Sequence, residues 1–133
     1  MKVNITTDGT QLNGYLNTDS PTLEQVSHSE ATEILAPHII NAIPFQDLGT
    51  LFEIFLSKLR KGGIIKIGGY DAIELGRGML FETVSTVERN SLIGMSRCFM
   101  TLEEVVEVME HVGFKIKKKK LDGLYYLIEA ERE

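Results

Sequence analysis

Between Asp47 and Tyr70 the hydrophobic positions change period once, and the change separates a helix from a strand. Leu48, Leu51, Phe52, Phe55, Leu56 and Leu59 recur at i, i+3, i+4, i+7, i+8 and i+11, one continuous apolar helix face. Lys58, Arg60 and Lys61 put positive charge where the free carbonyls and dipole of a helix C-terminus favour it, and Gly62 can take the left-handed conformation that ends the helix. The run Gly63-Ile64-Ile65-Lys66-Ile67 is short, β-branched and nearly continuous in hydrophobicity. It predicts a strand covered on both faces, with Gly68-Gly69 letting the backbone leave the sheet sharply. A helix delivered by a glycine turn into a buried strand is the αβ unit of a parallel sheet.

The remaining chain is read against that unit. Val3 and Ile5 alternate with Asn4 and Thr6, a short strand over 2–6 followed by the turn signal Asp8-Gly9. Tyr15-Leu16-Asn17 reads as a second strand, stopped at Asp19-Ser20-Pro21. The gap is too short for a crossover helix, so the two strands either form a hairpin or are parallel neighbours joined by a reduced connection. Residues 22–33 are polar and poorly periodic, a loop with at most one helical turn. Residues 33–36 give a further buried strand that exits at Pro37-His38. A brief helical turn through Ile39, Ile40 and Ile43 leads to Pro44, which suits the start of the long helix. Residues 71–80 have helical composition weakened by Gly76 and Gly78, and 83–89 read as another helix.

The last third repeats the grammar. Thr101-Leu102-Glu103-Glu104 is a capping box, and Met100 can staple onto Val105. The helix it opens carries Leu102, Val105, Val106, Met109 and Val112 inward and ends at Gly113. Residues 114–121 then form a strand, Asp122-Gly123 signals a hairpin, and 124–130 return as an antiparallel strand.

Composition narrows the function. A chain of 133 residues with no repeat or low-complexity linker reads as one domain over 1–133, long enough to bury about two thirds of its unfolded surface. No apolar run approaches the roughly 20 residues of a membrane span, and MKVNITTDG lacks the apolar stretch of a signal peptide, so a cytoplasmic protein with no membrane partner is expected. A single cysteine, Cys98, excludes an internal disulfide and a cysteine-based metal cluster. A net charge of -5 argues against a nucleic-acid partner, and the lysine run 117–120 reads as a solvated edge that discourages sheet-to-sheet aggregation. No metal site is expected.

The segment TEILAPHIINAIPFQDLGTLFEIFLSKLRKGGIIKI resembles the fourth strand, helix and fifth strand of the Rossmann-like class of S-adenosylmethionine-dependent methyltransferases, which often read D-E-I-x-A-x-H-V-L-E-H-I-P and then L-K-P-G-G. VNITTDGTQLNGYLNTDS is similar to the pattern L-N-L-G-x-G and G-Y/W-x-N-x-D of a subgroup whose first helix is abbreviated. The closing helix and hairpin look like that family's last helix and strands. The resemblance implies an α/β architecture, a reduced Rossmann-like methyltransferase fold: a mainly parallel sheet flanked by helices and finished by a C-terminal antiparallel β-hairpin. It implies S-adenosylmethionine as cofactor and methyl transfer to an unknown acceptor. The alternative is a non-catalytic methyltransferase-like binding or assembly module.

The same resemblance places the candidate site. The family's glycine positions after the first strand are Thr6 and Asp8 here, where side chains add bulk and the aspartate repels a ligand carboxylate; Gly9 supplies some of the lost freedom. Asp8-Gly9 also reads simply as a turn. Asp19, ending the second strand, fits an acid that accepts both ribose hydroxyls, or else caps the turn into Ser20-Pro21. His38, just past a strand exit, is a candidate cofactor-orienting group or catalytic base, or a surface residue. The family's next two polar positions are Asn41-Ala42. With little or no helix between the first two strands, one face of the N-terminal half is expected to be under-covered, which predicts a homodimer as the simplest homo-oligomer.

Overall fold

Val3 stands beside Leu16 and Ile5 beside Thr18 with their strands parallel, which resolves the hairpin question in favour of a reduced crossover. The computed structural model describes residues 1–133. Its strands are β1 (Lys2–Ile5), β2 (Leu16–Thr18), β3 (Ala31–Ala36), β4 (Leu59–Tyr70), β5 (Phe114–Asp122) and β6 (Tyr125–Arg132), in the spatial order β2-β1-β3-β4-β6-β5. The helices are α1 (Leu48–Lys58), α2 (Ala72–Leu80), α3 (Thr86–Met95) and α4 (Leu102–Val112). Strands β1 to β4 are parallel, and β6 runs antiparallel to both β4 and β5.

Two cross-strand asparagines do the work of the missing β1–β2 helix. Asn4 Nδ2 donates to Asn17 Oδ1 at 2.9 Å and to the Thr10 carbonyl at 3.1 Å. Asn17 Oδ1 also accepts from the Leu12 amide at 3.0 Å, while its Nδ2 donates to the Leu12 and Tyr15 carbonyls. The Thr10, Leu12 and Tyr15 carbonyls and the Leu12 amide of the connection are thereby satisfied without helical bonds.

The apolar face of the long helix forms as its spacing predicts, with Leu48, Leu51, Phe52 and Phe55 buried, but the helix ends earlier than Gly62. Leu59 is already extended and opens β4. Gly62, at φ +80°, instead serves a bulge: β3 advances from Ala31 to Glu33 while β4 advances from Leu59 to Ile64. The carbonyls at the helix end are taken by Arg132 Nη1, which donates to Leu56 at 3.0 Å and Leu59 at 2.6 Å from the far end of β6. Gly68-Gly69 likewise does not leave the sheet. β4 continues to Tyr70, and a Cβ on Gly68 would lie 2.5 Å from the Tyr126 carbonyl and 2.6 Å from that of Pro37.

The strand 64–67 is covered on one face only. Val3, Ile34, Ile65 and Ala130 form one row across the sheet, and Ile67 pairs with Ile128 in the next. These residues pack with Phe52 and Phe55 of α1 and Val105, Val106 and Met109 of α4 in a single buried cluster. Burial of each large apolar side chain there contributes about 1.5–3 kcal/mol. The opposite face carries Lys2, Glu33, Ile64, Lys66, Leu127 and Glu129, half-buried or exposed. Its centre is Glu33, which accepts from the Tyr15 hydroxyl at 2.9 Å and lies 3.9 Å from both Lys2 Nζ and Lys66 Nζ.

The capping box forms as read: the Glu104 amide donates to Thr101 Oγ1 and the Thr101 amide to Glu104 Oε1. Asp71, buried, caps two helices at once, accepting from the Glu74 amide of α2 at 3.0 Å and the Leu102 amide of α4 at 2.7 Å. The lysines of β5 are exposed on the sheet edge, three of them paired with Glu103, Glu131 and Glu133. α3 begins at Thr86 and has no buried residue. The exposed apolar area on which the homodimer expectation depends lies mainly on α2 and α3, where Leu80, Phe81, Val87 and Met95 are 70–82% exposed, and not on the polar sheet face. No helix is long and apolar enough to cross a membrane.

Candidate active site

Parallel strands deliver their carboxyl ends to one side of the sheet, and the chain changes direction between β1 and β3, the position at which open α/β sheets bind ligands. The segment after β1 (Thr6 to Thr10) and the segment after β3 (Pro37-His38) wall a cavity of about 230 Å³ there. A second, of about 180 Å³, lies between His38, the end of β4 at Tyr70, the start of β6 at Tyr125, and Leu92, Met95 and Ser96 of α3 and its exit. Thr7 and His38 line both, so the two form one cleft with His38 at the junction.

Asp8 organises the first compartment. Its Oδ1 accepts from Thr6 Oγ1 and Thr10 Oγ1, both at 2.6 Å, and from the Thr10 amide at 3.0 Å. The Thr10 hydroxyl first, then the Thr6 hydroxyl and Thr10 amide, hold its carboxyl well below the usual carboxylate range. Gly9 follows at φ +81°, with nothing within 4 Å of where a Cβ would stand. The Thr7 and Gly9 amides have no internal acceptor. The turn is therefore an ionised carboxylate beside bare backbone donors.

The second compartment is walled by rings. His38 meets Tyr125 edge-on, with centroids 6.4 Å apart at 81°. Tyr70, whose phenol is pushed up by burial, donates to the Leu92 carbonyl at 3.2 Å and contacts Ser96 Oγ, tying α3 to the end of β4. Asn41 is consumed by the scaffold: its Nδ2 donates to the Cys98 carbonyl at 3.1 Å, and its Oδ1 accepts from the Tyr70 amide at 2.9 Å. These bonds take one of the amide's two N–H groups and one lone pair of its oxygen.

Of the residues singled out from sequence, Thr6, Asp8 and His38 line the cleft, and Gly9 belongs to the same turn without lining it. Asp19 stands exposed just past β2, outside both compartments. Thr7, Tyr70 and Tyr125 were not singled out. An aromatic residue closing a strand at the carboxyl side of the sheet, as Tyr70 does after Gly68-Gly69, is the signal that marks such a wall.

No protein-family model matches the sequence, and no curated protein matches it. Solved structures do share its fold. An S-adenosylmethionine-dependent methyltransferase of Thermotoga maritima, a possible histamine N-methyltransferase, aligns over 90% of this chain and 65% of its own, with 16% identity and a TM-score of 0.64. An S-adenosylmethionine-dependent methyltransferase of Mesorhizobium loti aligns over 92% and 72%, with 10% identity and a TM-score of 0.67. A possible exported protein of Bordetella parapertussis aligns over 87% and 43%, with 14% identity and a TM-score of 0.64. The chain thus spans less than two thirds of the Thermotoga protein. It has the Rossmann-like (class I) methyltransferase fold in reduced form, with a six-stranded sheet and the C-terminal antiparallel hairpin.

The site also allows a test of fit for the cofactor of that fold. The carboxylate of Asp8 is of the sign that suits the ammonium of a methionine moiety, and Thr7, whose amide has no internal acceptor, lines the cleft beside it. Asp19, exposed and without a side-chain partner, adds nothing to the lining of either compartment. The fit rests on the turn after β1, where Thr6, Thr7 and Asp8 line the cleft.

Proposed function

We propose that this chain binds S-adenosylmethionine across the carboxyl ends of β1 and β2 and transfers its methyl group to a small acceptor in the compartment beyond His38. The single observation that carries the reading is the two-part cleft at the point where the chain reverses direction, with His38 shared between the parts. When bound, the cofactor supplies a methyl on a sulfonium sulfur; the acceptor's lone pair forms the new bond as the carbon–sulfur pair stays on sulfur. Asp8 and the Thr7 and Gly9 amides hold the methionine end, Thr6 and Thr10 keep Asp8 in place, and Asp19 takes the ribose hydroxyls. His38 removes the acceptor's proton at an imidazole nitrogen, and the rings of Tyr70 and Tyr125 limit water at the reacting atoms. A cytoplasmic location is part of this proposal. One observation favours the second reading, a non-catalytic binding module: Asn41, at a position where the related pattern carries a glutamate, is spent on the scaffold.

Calorimetry and melting with S-adenosylmethionine and S-adenosylhomocysteine test the proposal. Ligand at a hundredfold excess over its Kd stabilises the fold by about 2.7 kcal/mol. Asp19→Ala should weaken binding of both ligands, whereas His38→Gln should leave binding and abolish turnover. No response of the native chain at millimolar ligand favours the binding module; equal responses of native and Asp19→Ala chains remove Asp19 from the site.

A further inference from the structure

The acceptor compartment has a chemistry of its own. None of its ten lining residues is Lys, Arg, Asp or Glu. Its polar groups are mostly committed, Asn41 to Cys98 and Tyr70, and the Tyr70 hydroxyl to Leu92 and Ser96. What remains to address a ligand is His38 and the hydroxyls of Thr7 and Tyr125, set against the faces and edges of Tyr70, Tyr125, Leu92 and Met95. An ion entering here meets no charged side chain in the lining that would offset its lost hydration. The volume, about 180 Å³, is set against the roughly 150 Å³ of an apolar cavity that accepts one benzene ring.

We infer that the compartment takes a neutral, single-ring aromatic molecule bearing one hydroxyl or ring N–H, its ring packed against Tyr125 and Met95 and its polar hydrogen on His38. The ring satisfies the walls by edge-to-face and sulfur–aromatic contacts, which an aliphatic chain of equal volume does not. Carboxylates and amines find no charged side chain in the lining. The assignment of the ring as methyl acceptor rests on the methyl-transfer reading; the binding preference does not.

The experiment separates the two. The full chain, free of nucleoside, is titrated with phenol, catechol, benzoate and benzylamine while the Met95 methyl and Tyr125 ring resonances are followed by NMR. Phenol and catechol should shift both signals and bind about tenfold or more tightly than the two ions. Leu92→Trp, which fills the compartment, should abolish the shifts, and Tyr125→Ala should weaken them if the tryptophan variant does not fold. Absence of phenol binding at millimolar concentration, or benzoate or benzylamine binding as well as phenol, overturns the inference. A parallel titration with S-adenosylhomocysteine keeps the failures distinct. Ring binding without nucleoside binding upholds the compartment's preference and removes methyl transfer, whereas nucleoside binding without ring binding overturns the preference alone.

Discussion

The two faces of this sheet are made from the same strands, residue by residue in alternation, yet they obey opposite rules. On one, Val3, Ile34, Ile65 and Ala130 lie in a row under α1 and α4. On the other, one residue along each strand, Lys2, Glu33, Ile64 and Glu131 form the adjacent row, exposed or half-buried. The difference follows from the connections. Those leaving β3 and β4 hold helices with apolar faces, whereas Thr6 to Tyr15 holds none and is pinned by Asn4 and Asn17 instead. A sheet can lose the helix over one face if that face is rewritten in charged and polar residues. This is why the reduced fold does not leave a broad apolar surface on the sheet itself.

The largest test sets the faces against each other. Phe55→Ala empties a fully buried site under α1 and should cost about 3–5 kcal/mol, read as a lower denaturant midpoint. Leu127→Ala, on the open face and 39% exposed, should stay within about 0.5 kcal/mol. Comparable losses would mean that the open face is covered in solution.

A smaller effect concerns the corner where the open face is roofed. Tyr70 and Tyr125 are paired neighbours at the end of β4 and β6, and α3, which buries nothing, is tied there through Tyr70 to Leu92 and Ser96. Tyr70→Phe keeps the ring and its edge contact with Phe99 but removes the hydroxyl. Stability should fall by about 1 kcal/mol, and amide exchange should quicken in α3 while α4 keeps its protection. Uniform quickening across both helices would place Tyr70 in the core rather than at a tether.

What could be read from the sequence was local. The helical spacing of Leu48 to Phe55, the capping box at Thr101 and the Asp122-Gly123 turn each depend on residues a few positions apart, and each formed. What escaped depends on distance in the chain. Arg132 reaches the end of α1 from 76 residues away, and Asp71 caps α4 from 31 residues away. Gly62 was a plausible helix stop only while those carbonyls had no other partner. Lys66 was the local clue to the open face, a lysine in an isoleucine run that a strand covered on both sides would not keep. Within the cleft, Thr6 and Asp8 were reached through the family resemblance and His38 through its place past a strand exit, whereas Tyr125 reaches the cleft only because β6 returns antiparallel beside β4.

The smallest effect sharpens the role of the β1 turn. Asp8 has its carboxyl held down in the folded chain by Thr10 and Thr6, so the folded pKa lies below the unfolded value of about 3.9. A depressed acid pKa contributes stability above the unfolded value, and that contribution fades as pH falls below it. Melting of the native chain between pH 5 and pH 2 should therefore include a component that Asp8→Asn lacks, small because the carboxylate is exposed. Thr10→Val removes the largest cause and should raise the Asp8 carboxyl titration, followed by its carbon resonance, toward the ordinary value. If the titration does not move, the turn does not hold the carboxylate, and the charge offered to a methionine ammonium is not fixed in place.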